Sequence, residues 1–337
     1  MKLNLKQIKE ITLGSVRVEE DNRYTSFFRF TKAQEELYKA TSDNAYIKSF
    51  ATAGIKLSFK TNSKTLFLSC LTEATSTRKY FSFDVFVNGK SIGFLDNFEG
   101  VDLPEDYTTT NLLLGEFSKN FNLGEGVKNV CVYFPWSVRV ALKELSVDDG
   151  AFIEAIRPEK KLLIYGDSIT QGFDVLHPSV HYTAKLSEML GAEGFNKAIG
   201  GEKFFPKLAE LNDDFTPDYI TVAYGTNDWR RHDRNTFNNN CAGFYKALAK
   251  NYPTSKIFAI TPIWRKDCNE KVAFGLFADA ENDILKIAEN FENVSVISGS
   301  ELVPKDERYY ADSRLHPNDE GFDFYAKNVC SKLKLEL

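Results

Sequence analysis

The chain has 337 residues, with 42 Lys and Arg against 47 Asp and Glu, so its formal net charge is −5. At about 150 residues per domain, this length predicts about two domains. A content of 43% hydrophobic and 26% charged residues is typical of globular proteins and argues against a disordered chain, a collagen or a coiled coil. The mild acidity argues against nucleic acid as a partner, because phosphate backbones need a basic surface.

No apolar run reaches the roughly 18 residues that span a bilayer, so we expect no membrane partner. Charged residues interrupt residues 1–15, which therefore lack the apolar stretch of a signal peptide. The five cysteines form no CxxC pair, and we expect free thiols in a cytoplasmic protein. No histidine lies near two cysteines, and Pro178 separates His177 from His181 with no acidic ligand to complete a motif. We therefore expect no metal site.

Residues 20–147 predict a β-rich region, because short strands alternate with turn signals. The clearest hairpin joins residues 81–87 to 90–95 through Asn88 and Gly89, which can adopt the positive φ angles of a type I′ turn. Several short strands at this spacing are typical of a β-sandwich or jelly roll. The other predicted strands are Ser26–Phe30, Gly54–Lys60, Thr65–Cys70 and Lys128–Phe134.

Beyond about residue 155, continuous apolar runs alternate with helical stretches. Buried strands of this kind predict an α/β unit with a parallel sheet that helices cover on both faces. We place the join within residues 151–161 and expect one domain at 1–155 and a second at 156–337. The predicted strands are Leu162–Tyr165, Tyr219–Tyr224, Ile257–Ile260 and Val294–Ile297, and the predicted helices are Ala184–Leu190, Cys241–Asn251 and Ala280–Phe291.

The segment GDSITQG follows the first of these parallel strands, and active sites lie beyond the carboxyl ends of such strands. Gly166 permits a tight turn, after which Ser168 would project its hydroxyl at the edge of the sheet. The free N–H groups at the start of the next helix would stabilise a developing anion. The same serine could equally be an ordinary helix N-cap.

Three further segments could contribute to the same edge. The glycine pair that ends NKAIGG, Gly200 and Gly201, would let the backbone approach a ligand, or could form a plain turn. In YGTND, Asn227 could direct its amide at a substrate oxygen, or form an Asx turn or helix cap. In LHPND, His316 could act as the general base for Ser168, or lie on a surface loop.

Together the motifs GDSITQG, NKAIGG, YGTND and LHPND, in this order, resemble the SGNH hydrolase superfamily, also called GDSL-type esterases. The resemblance covers roughly residues 160–335. The β-rich first half and the segment TPIWR, Thr261–Arg265, are also similar to the two-domain enzymes of carbohydrate esterase family 2. This resemblance implies a flavodoxin-like α/β/α three-layer hydrolase domain, preceded by an all-β domain.

The resemblance also implies roles for individual residues. Ser168 would be the nucleophile and His316 the base, while the backbone N–H groups of Ser168 and Gly201 and the side chain of Asn227 would form the oxyanion hole. Gly201 fits this role better than Gly200, because it lies five residues after Asn196, where the family pattern places it. The family chemistry needs no cofactor and no metal.

The acidic member of the triad departs from the family pattern of Asp-x-x-His. Ser313 stands three residues before His316, and Asp312 stands four residues before it. A bulged loop could bring Asp312 to the histidine ring, or a backbone carbonyl could orient the ring and leave a Ser-His dyad. Asp319 is a poorer substitute, because we expect it to start the last helix.

Two tryptophans follow predicted strands at the same edge of the sheet. Trp264 could stack on the apolar face of a sugar ring, or pack between a helix and a loop. Trp229 has a similar placement and could contact substrate or belong to the core. We expect Asp167 to brace the turn before Ser168 rather than to react.

The leading hypothesis is a metal-independent serine esterase that removes short acyl groups, acetyl above all, from carbohydrates. A lipid esterase or thioesterase of the same superfamily is an alternative. A catalytically silent carbohydrate-binding protein, built on the same fold, is an alternative of another class.

Overall fold

The computed structural model describes residues 1–21, 23–104 and 106–336, and its first half is built from antiparallel strands. The helices of this half are α1 (Leu5–Ile11), α2 (Lys32–Thr41) and α3 (Asp43–Ser49). Its strands are β1 (Thr12–Leu13), β2 (Arg17–Glu20), β3 (Thr25–Phe28), β4 (Lys56–Thr61), β5 (Thr65–Ala74), β6 (Ser82–Val87), β7 (Lys90–Asp96), β8 (Glu116–Asn122), β9 (Lys128–Tyr133), β10 (Val138–Val147) and β11 (Ile153–Ala155).

These strands form two antiparallel sheets that share one core. One sheet has the order β1-β4-β9-β6-β7, with β11 also paired to β4, and the other has the order β2-β3-β10-β5-β8. Alternate side chains of both sheets, such as Leu57, Phe83 and Leu142, are buried between them. The β-rich character that the turn spacing predicts is therefore confirmed.

The predicted hairpin is β6 and β7, and its two turn residues have the expected backbone. Asn88 has φ 49° and Gly89 has φ 77°, the positive pair that a type I′ turn needs. The outer face of β6 is buried as well, because the Asp84 carboxylate accepts from the Ser179 N–H at 2.9 Å and lies 3.0 Å from His177 Nδ1. Strand β6 therefore packs on both faces, and its second face contacts the loop before α5.

The second half is a parallel sheet with helices between the strands. Its strands are β12 (Lys160–Gly166), β13 (Ala192–Asn196), β14 (Tyr219–Ala223), β15 (Lys256–Ile260) and β16 (Val294–Ile297). Its helices are α4 (Ser168–Gln171), α5 (Tyr182–Leu190), α6 (Pro206–Ala209), α7 (Thr226–Arg231), α8 (Arg234–Asn251), α9 (Phe277–Ala288) and α10 (Asp319–Glu336). No helix in the described ranges is long and apolar enough to cross a membrane.

The parallel sheet has the order β13-β12-β14-β15-β16, which is the flavodoxin-like order. Both faces of β12 are buried: Leu162 and Ile164 pack with the core on the side of α5 and α10, and Leu163 and Tyr165 pack with the core on the side of α8. This burial explains the unalternating apolar run, and the predicted α/β architecture is confirmed. The strand order reverses between β12 and β14, where ligands bind in such sheets.

Arg29, just after β3, joins the two halves of the molecule. Its side chain is buried and donates from Nη1 to the carbonyl oxygens of Asn196 at 2.9 Å and Ala198 at 2.8 Å. Its Nε donates to the Ala51 carbonyl at 2.6 Å. A residue of the β-rich half therefore holds the segment that leads from β13 to Gly200 and Gly201.

Candidate active site

Ser168 is the first residue of α4, directly after β12. The helix N-cap is Asp167, whose Oδ1 accepts from the Ile169 N–H at 3.0 Å, so Ser168 itself is not the cap. Gly166 is required at the end of the strand, because a Cβ there would lie 2.2 Å from Thr170 Oγ1. The turn therefore leaves the Ser168 hydroxyl free to bond outside its own helix.

That hydroxyl bonds to His316. His316 Nε2 lies 2.8 Å from Ser168 Oγ, and His316 Nδ1 lies 2.8 Å from Asp312 Oδ2. The three side chains form the chain of hydrogen bonds that nucleophilic catalysis by serine requires. Of the two arrangements left open for the histidine, the structure has the one in which Asp312 reaches the ring.

The unusual four-residue spacing works because the loop turns tightly at Ser313, which has φ 52°. Asp312 Oδ1 accepts from the backbone N–H groups of Arg314 at 3.0 Å, Leu315 at 2.7 Å and His316 at 3.0 Å. This leaves Oδ2 directed at the imidazole. Asp319 lies at the start of α10, as predicted, and its Oδ1 accepts from the Leu176 N–H at 2.8 Å.

A second carboxylate, which the sequence motifs do not indicate, lies beside the same ring nitrogen. Asp174 Oδ2 is 3.3 Å from His316 Nδ1, and the Asp174 side chain is completely buried. Arg78 donates to both of its oxygens, from Nε at 2.7 Å and from Nη2 at 2.9 Å, and the Tyr80 hydroxyl donates at 2.7 Å. Because Arg78 and Tyr80 lie about 90 residues upstream in the other half of the chain, no local motif could reveal this arrangement.

The two carboxylates govern the protonation of the base. Burial disfavours the charged imidazole, but the hydrogen bonds and charges of Asp174 and Asp312 outweigh it and raise the pKa of His316 to about 9. Burial raises the pKa of the Asp174 carboxyl, but the hydrogen bonds and charges of Arg78 and His316 outweigh burial and hold this pKa well below its usual range. Both acids are therefore ionised at neutral pH.

The predicted oxyanion-hole donors lie on segments that hydrogen-bond to one another. Gly200 N–H donates to Gln171 Oε1 at 2.7 Å and is already used, whereas the Gly201 N–H has no acceptor within the described residues. Asn227 Nδ2 donates to the Glu202 carbonyl at 3.0 Å and lies 3.3 Å from Asp167 Oδ2. Asn227 is thereby bonded to the neighbours of both Gly201 and Ser168.

Asp167 braces this arrangement, as the sequence predicts. One of its oxygens caps α4 and the other accepts from Asn227. Burial raises the pKa of its carboxyl to about 7.

The two predicted substrate tryptophans differ. Trp229 is completely buried; its Nε1 donates to the Gly275 carbonyl at 3.1 Å, and the Arg265 guanidinium lies 4.9 Å from its ring centre. The prediction that Trp229 contacts substrate is therefore wrong, because no face of the ring is free. Trp264 is partly exposed and packs against Tyr310, two residues before Asp312, with 5.0 Å between ring centres.

In the described part of the chain, the donor atoms close enough to share a metal ion belong to Asp174, Asp312 and His316. The Arg78 guanidinium already binds both oxygens of Asp174, and its positive charge would repel a cation. These donors are thus suited to binding a proton rather than a metal. His181 is not near them, because its ring is buried between Thr183 Oγ1 and the Ile169 carbonyl.

Comparison with known proteins finds a family match for the part of the chain that carries this site. Residues 164–324 match the GDSL-like Lipase/Acylhydrolase family, and this range contains Ser168, Gly201, Asn227 and His316. No curated protein matches the chain.

The chain is also similar to solved structures over nearly its whole length. The salicylyl-acyltransferase SsfX3 from a tetracycline biosynthetic pathway is 20% identical, with TM-score 0.79, over 96% of this chain and 94% of that one. A family two carbohydrate esterase from Clostridium thermocellum is 14% identical, with TM-score 0.67, over 96% and 98%. The acetyl xylan esterase Est2A from Butyrivibrio proteoclasticus is 17% identical, with TM-score 0.65, over 100% and 99%. At these identities the likeness is one of fold.

Proposed function

We propose that this carboxylic ester hydrolase is a serine esterase that removes acetyl groups from carbohydrates. The proposal starts from the match of residues 164–324 to the GDSL-like lipase/acylhydrolase family. The observation that carries the proposal is the chain of 2.8 Å hydrogen bonds from Ser168 through His316 to Asp312. A silent binding protein would not need a serine that is hydrogen-bonded to a largely buried histidine which two carboxylates contact.

In the proposed mechanism, Ser168 Oγ attacks the ester carbonyl carbon while His316 Nε2 takes the hydroxyl proton. The carbonyl oxygen becomes negative and is stabilised by the N–H groups of Ser168 and Gly201 and by the Asn227 amide. His316 then gives its proton to the leaving alcohol, and the acyl-enzyme forms. A water molecule, deprotonated by the same imidazole, releases the acid and restores Ser168.

A short acyl group is favoured by the lining of the adjoining cleft. A long acyl chain needs an apolar groove, but the space beside Gly201 has a mixed lining, in which Lys48, Lys203, Arg231 and His232 accompany Ile199, Phe204 and Phe205. Phe173 lies on the other side of the glycine pair, and its ring would be within 2.7 Å of a Cβ at Gly200. These contacts support a small acyl group such as acetyl over the lipid-esterase alternative.

A carbohydrate is favoured as the alcohol by two weaker observations. Trp264 presents a partly exposed ring at the strand edge that carries the site, and aromatic rings of this kind can stack on sugars. The fold is shared with structures described as a family two carbohydrate esterase and an acetyl xylan esterase.

The first test compares the wild-type protein with Ser168→Ala on p-nitrophenyl acetate. We expect the variant to lose at least about 10⁴-fold in kcat, as is typical when a triad nucleophile is removed. Equal hydrolysis by both proteins would overturn the assignment of Ser168. A fluorophosphonate probe should label the wild type and not the variant.

The second test measures acetate release from acetylated xylo-, manno- and chito-oligosaccharides, and hydrolysis of p-nitrophenyl esters from acetyl to octanoyl. We expect release from at least one oligosaccharide and a steep decline with acyl length. Hydrolysis of p-nitrophenyl acetate without release from any oligosaccharide would contradict the carbohydrate assignment. A preference for octanoyl would favour the lipid esterase instead.

A further inference from the structure

Asp174 is a completely buried carboxylate beside the catalytic histidine that the mechanism above does not use. Its Oδ2 lies 3.3 Å from His316 Nδ1, on the nitrogen that also bonds to Asp312. Its backbone has φ 80°, a region that favours glycine and that non-glycine residues occupy at a cost in energy. An aspartate is therefore held in a strained conformation with one oxygen facing the base.

The groups that hold Asp174 come from the β-rich half. Arg78 and Tyr80 bond to its carboxylate, and the Tyr107 hydroxyl donates to its backbone carbonyl. Arg78 donates to both oxygens, so the carboxylate cannot rotate without breaking a bidentate pair. A salt bridge that only joined the two halves would not need an oxygen at the imidazole.

We propose that Asp174 is a positioning residue for His316, which shares with Asp312 the orientation of the ring and the stabilisation of its protonated form, and that Arg78 and Tyr80 set its place. This inference rests on the proposed function, since it assigns a partner to the base of that mechanism. It gives the β-rich half a part in catalysis through a residue of the other half.

The test is a double-mutant cycle on p-nitrophenyl acetate with Asp312→Asn, Asp174→Asn and the double variant. Each single variant leaves one carboxylate on Nδ1, so we expect a loss of roughly 10-fold in kcat. The double variant leaves none, so its loss should reach about 10³-fold and exceed the product of the single losses. Asn keeps an oxygen for the backbone bonds of the Asp312 turn.

The pH profile separates positioning from mere structural support. Asp174→Asn should move the midpoint of the acidic fall in kcat/KM to lower pH, because a negative charge beside the imidazolium is lost. Arg78→Gln should move the midpoint to higher pH, because the charge of Asp174 is then no longer offset.

Unchanged midpoints in both variants, or a double variant no worse than Asp312→Asn, would overturn the proposal. If Asp174→Asn does not fold, the Arg78→Gln profile decides. Failure of the proposed function itself would show separately, as Ser168-independent hydrolysis.

A different observation concerns the cleft beside Gly201. We call it the cationic cleft: a space of about 590 Å³ lined among others by Lys48, Lys203, Arg231 and His232. Lys48 Nζ donates to the Gly200 carbonyl at 2.7 Å, and Lys203 Nζ lies 2.8 Å from His232 Nε2. Arg231 Nη1 lies 3.4 Å from the Gly201 carbonyl.

Within the described ranges, Lys48, Lys203 and Arg231 bond to the Gly200 carbonyl, to His232 and to the Gly201 carbonyl, and none of the three forms an ion pair with a carboxylate. Glu202 also lines the cleft, but its carboxyl accepts from the hydroxyls of Tyr38 at 2.7 Å and Tyr224 at 3.0 Å, and burial raises its pKa to about 8. Burial and the charges of Arg231 and Arg78 lower the pKa of Lys48, against a smaller opposing effect of Glu202. Lys48, Lys203 and Arg231 therefore bring together positive charges that have no direct carboxylate pair in the described part of the chain, whereas the fourth group, His232, lies 3.4 Å from the Asp228 carboxylate.

We infer that the cationic cleft binds an anionic group of the ester substrate, a carboxylate, sulfate or phosphate, beside the acyl group at Ser168. This deepens the proposed function, on which it rests, by naming the charge of the substrate. Because the proposed acyl group is acetyl, the anion belongs to the sugar, and an anion on a longer acyl group is the competing outcome that the chosen substrates separate.

The test measures kcat/KM on two matched pairs at low ionic strength. For the acyl side, the pair is p-nitrophenyl hemiglutarate and p-nitrophenyl valerate. For the sugar side, the pair is an acetylated glucuronic acid and its neutral methyl ester. We expect the anionic sugar ester to be preferred by at least about tenfold, and the preference to fall as salt is added. A preference for the hemiglutarate alone would place the anion on the acyl group and contradict the inference as stated.

The matched variants are the double substitution Lys203→Gln with Arg231→Gln and the control Arg230→Gln. Arg230 is the next residue along, but it pairs with Glu270 and Asp267 instead. The double variant should lower the anionic-to-neutral ratio about tenfold, and the control should not. No preference in either pair, or a preference that the double variant and salt leave intact, would overturn the inference. Neither result depends on whether Ser168 is the nucleophile.

Discussion

The two halves of the molecule relate to the site in different ways. The parallel-sheet half supplies every group proposed to act in the reaction, from the ends of β12, β13 and β14 and from the loop before α10. The β-rich half supplies groups that hold these in place: Arg78 on Asp174, Lys48 on the Gly200 carbonyl and Arg29 on the carbonyls of Asn196 and Ala198. The β-rich half thus acts as part of the scaffold of the site, rather than as a separate module beside it.

The sharpest test within the parallel-sheet half is Asn227→Ala. Loss of one oxyanion donor should lower kcat by about 10²–10³-fold, because the amide acts on the charge that develops in the transition state. Because Asn227 also donates to the Glu202 carbonyl and to Asp167, the melting temperature should fall as well, and the kinetics are measured well below it. Kinetics on p-nitrophenyl acetate and a thermal melt provide the two measurements. A loss under about threefold would place the oxyanion elsewhere.

The pH dependence tests whether the two carboxylates govern the base. His316 must be neutral to accept a proton, and its pKa is raised to about 9. We therefore expect kcat/KM to rise about tenfold per pH unit from pH 6 towards 9 and then to level off. The rate of Ser168→Ala, subtracted at each pH, corrects for hydrolysis by the buffer. A profile that is flat from pH 6 upwards would contradict the raised pKa.

Arg29→Met tests how much the β-rich half stabilises the loop that leads to Gly201. The substitution removes the donor shared by three buried carbonyl oxygens, and unsatisfied buried groups cost about 1–3 kcal/mol each. We expect the free energy of unfolding to fall by about 3 kcal/mol in urea, because part of this cost is relieved by relaxation. Arg23→Met, on the same half, serves as the control. An unchanged midpoint of urea unfolding would mean that the two halves are held together without Arg29.

Sequence reasoning succeeds where chemistry and structure are local. The strand β12 and the turn that carries Ser168 follow from one apolar run and one glycine-containing motif, and the β6–β7 hairpin follows from Asn88-Gly89. The sequence alone does not decide whether Asp312 contacts the His316 ring, because no recognisable motif encodes the φ of 52° at Ser313 that makes this contact possible. The sequence patterns also do not indicate α2 and α3, which lie among predicted strands.

Long-range contacts are what sequence reasoning misses. Arg78 meets Asp174 only after two sheets have formed and packed, and one sequence offers no signal for that pair. Trp229 and Trp264 both follow strands in the same half, yet only tertiary packing decides that Arg265 and Phe277 enclose the first. The residues proposed to react, and the nearby brace Asp167, can thus be predicted from local motifs, whereas the distant supports Arg78 and Arg29 cannot.

The smallest effect is expected for Trp264→Ala, which tests whether the parallel-sheet half also contacts the sugar. Loss of a partly exposed aromatic face should lower the ratio of kcat/KM for an acetylated oligosaccharide to kcat/KM for p-nitrophenyl acetate by about three- to tenfold, mainly through KM. Trp264→Phe keeps an aromatic face and should recover most of the ratio. Because Trp264 also packs on Tyr310, a structural effect alone would lower both rates together and leave the ratio unchanged. An unchanged ratio would therefore remove Trp264 from the substrate site and leave sugar recognition to the cationic cleft.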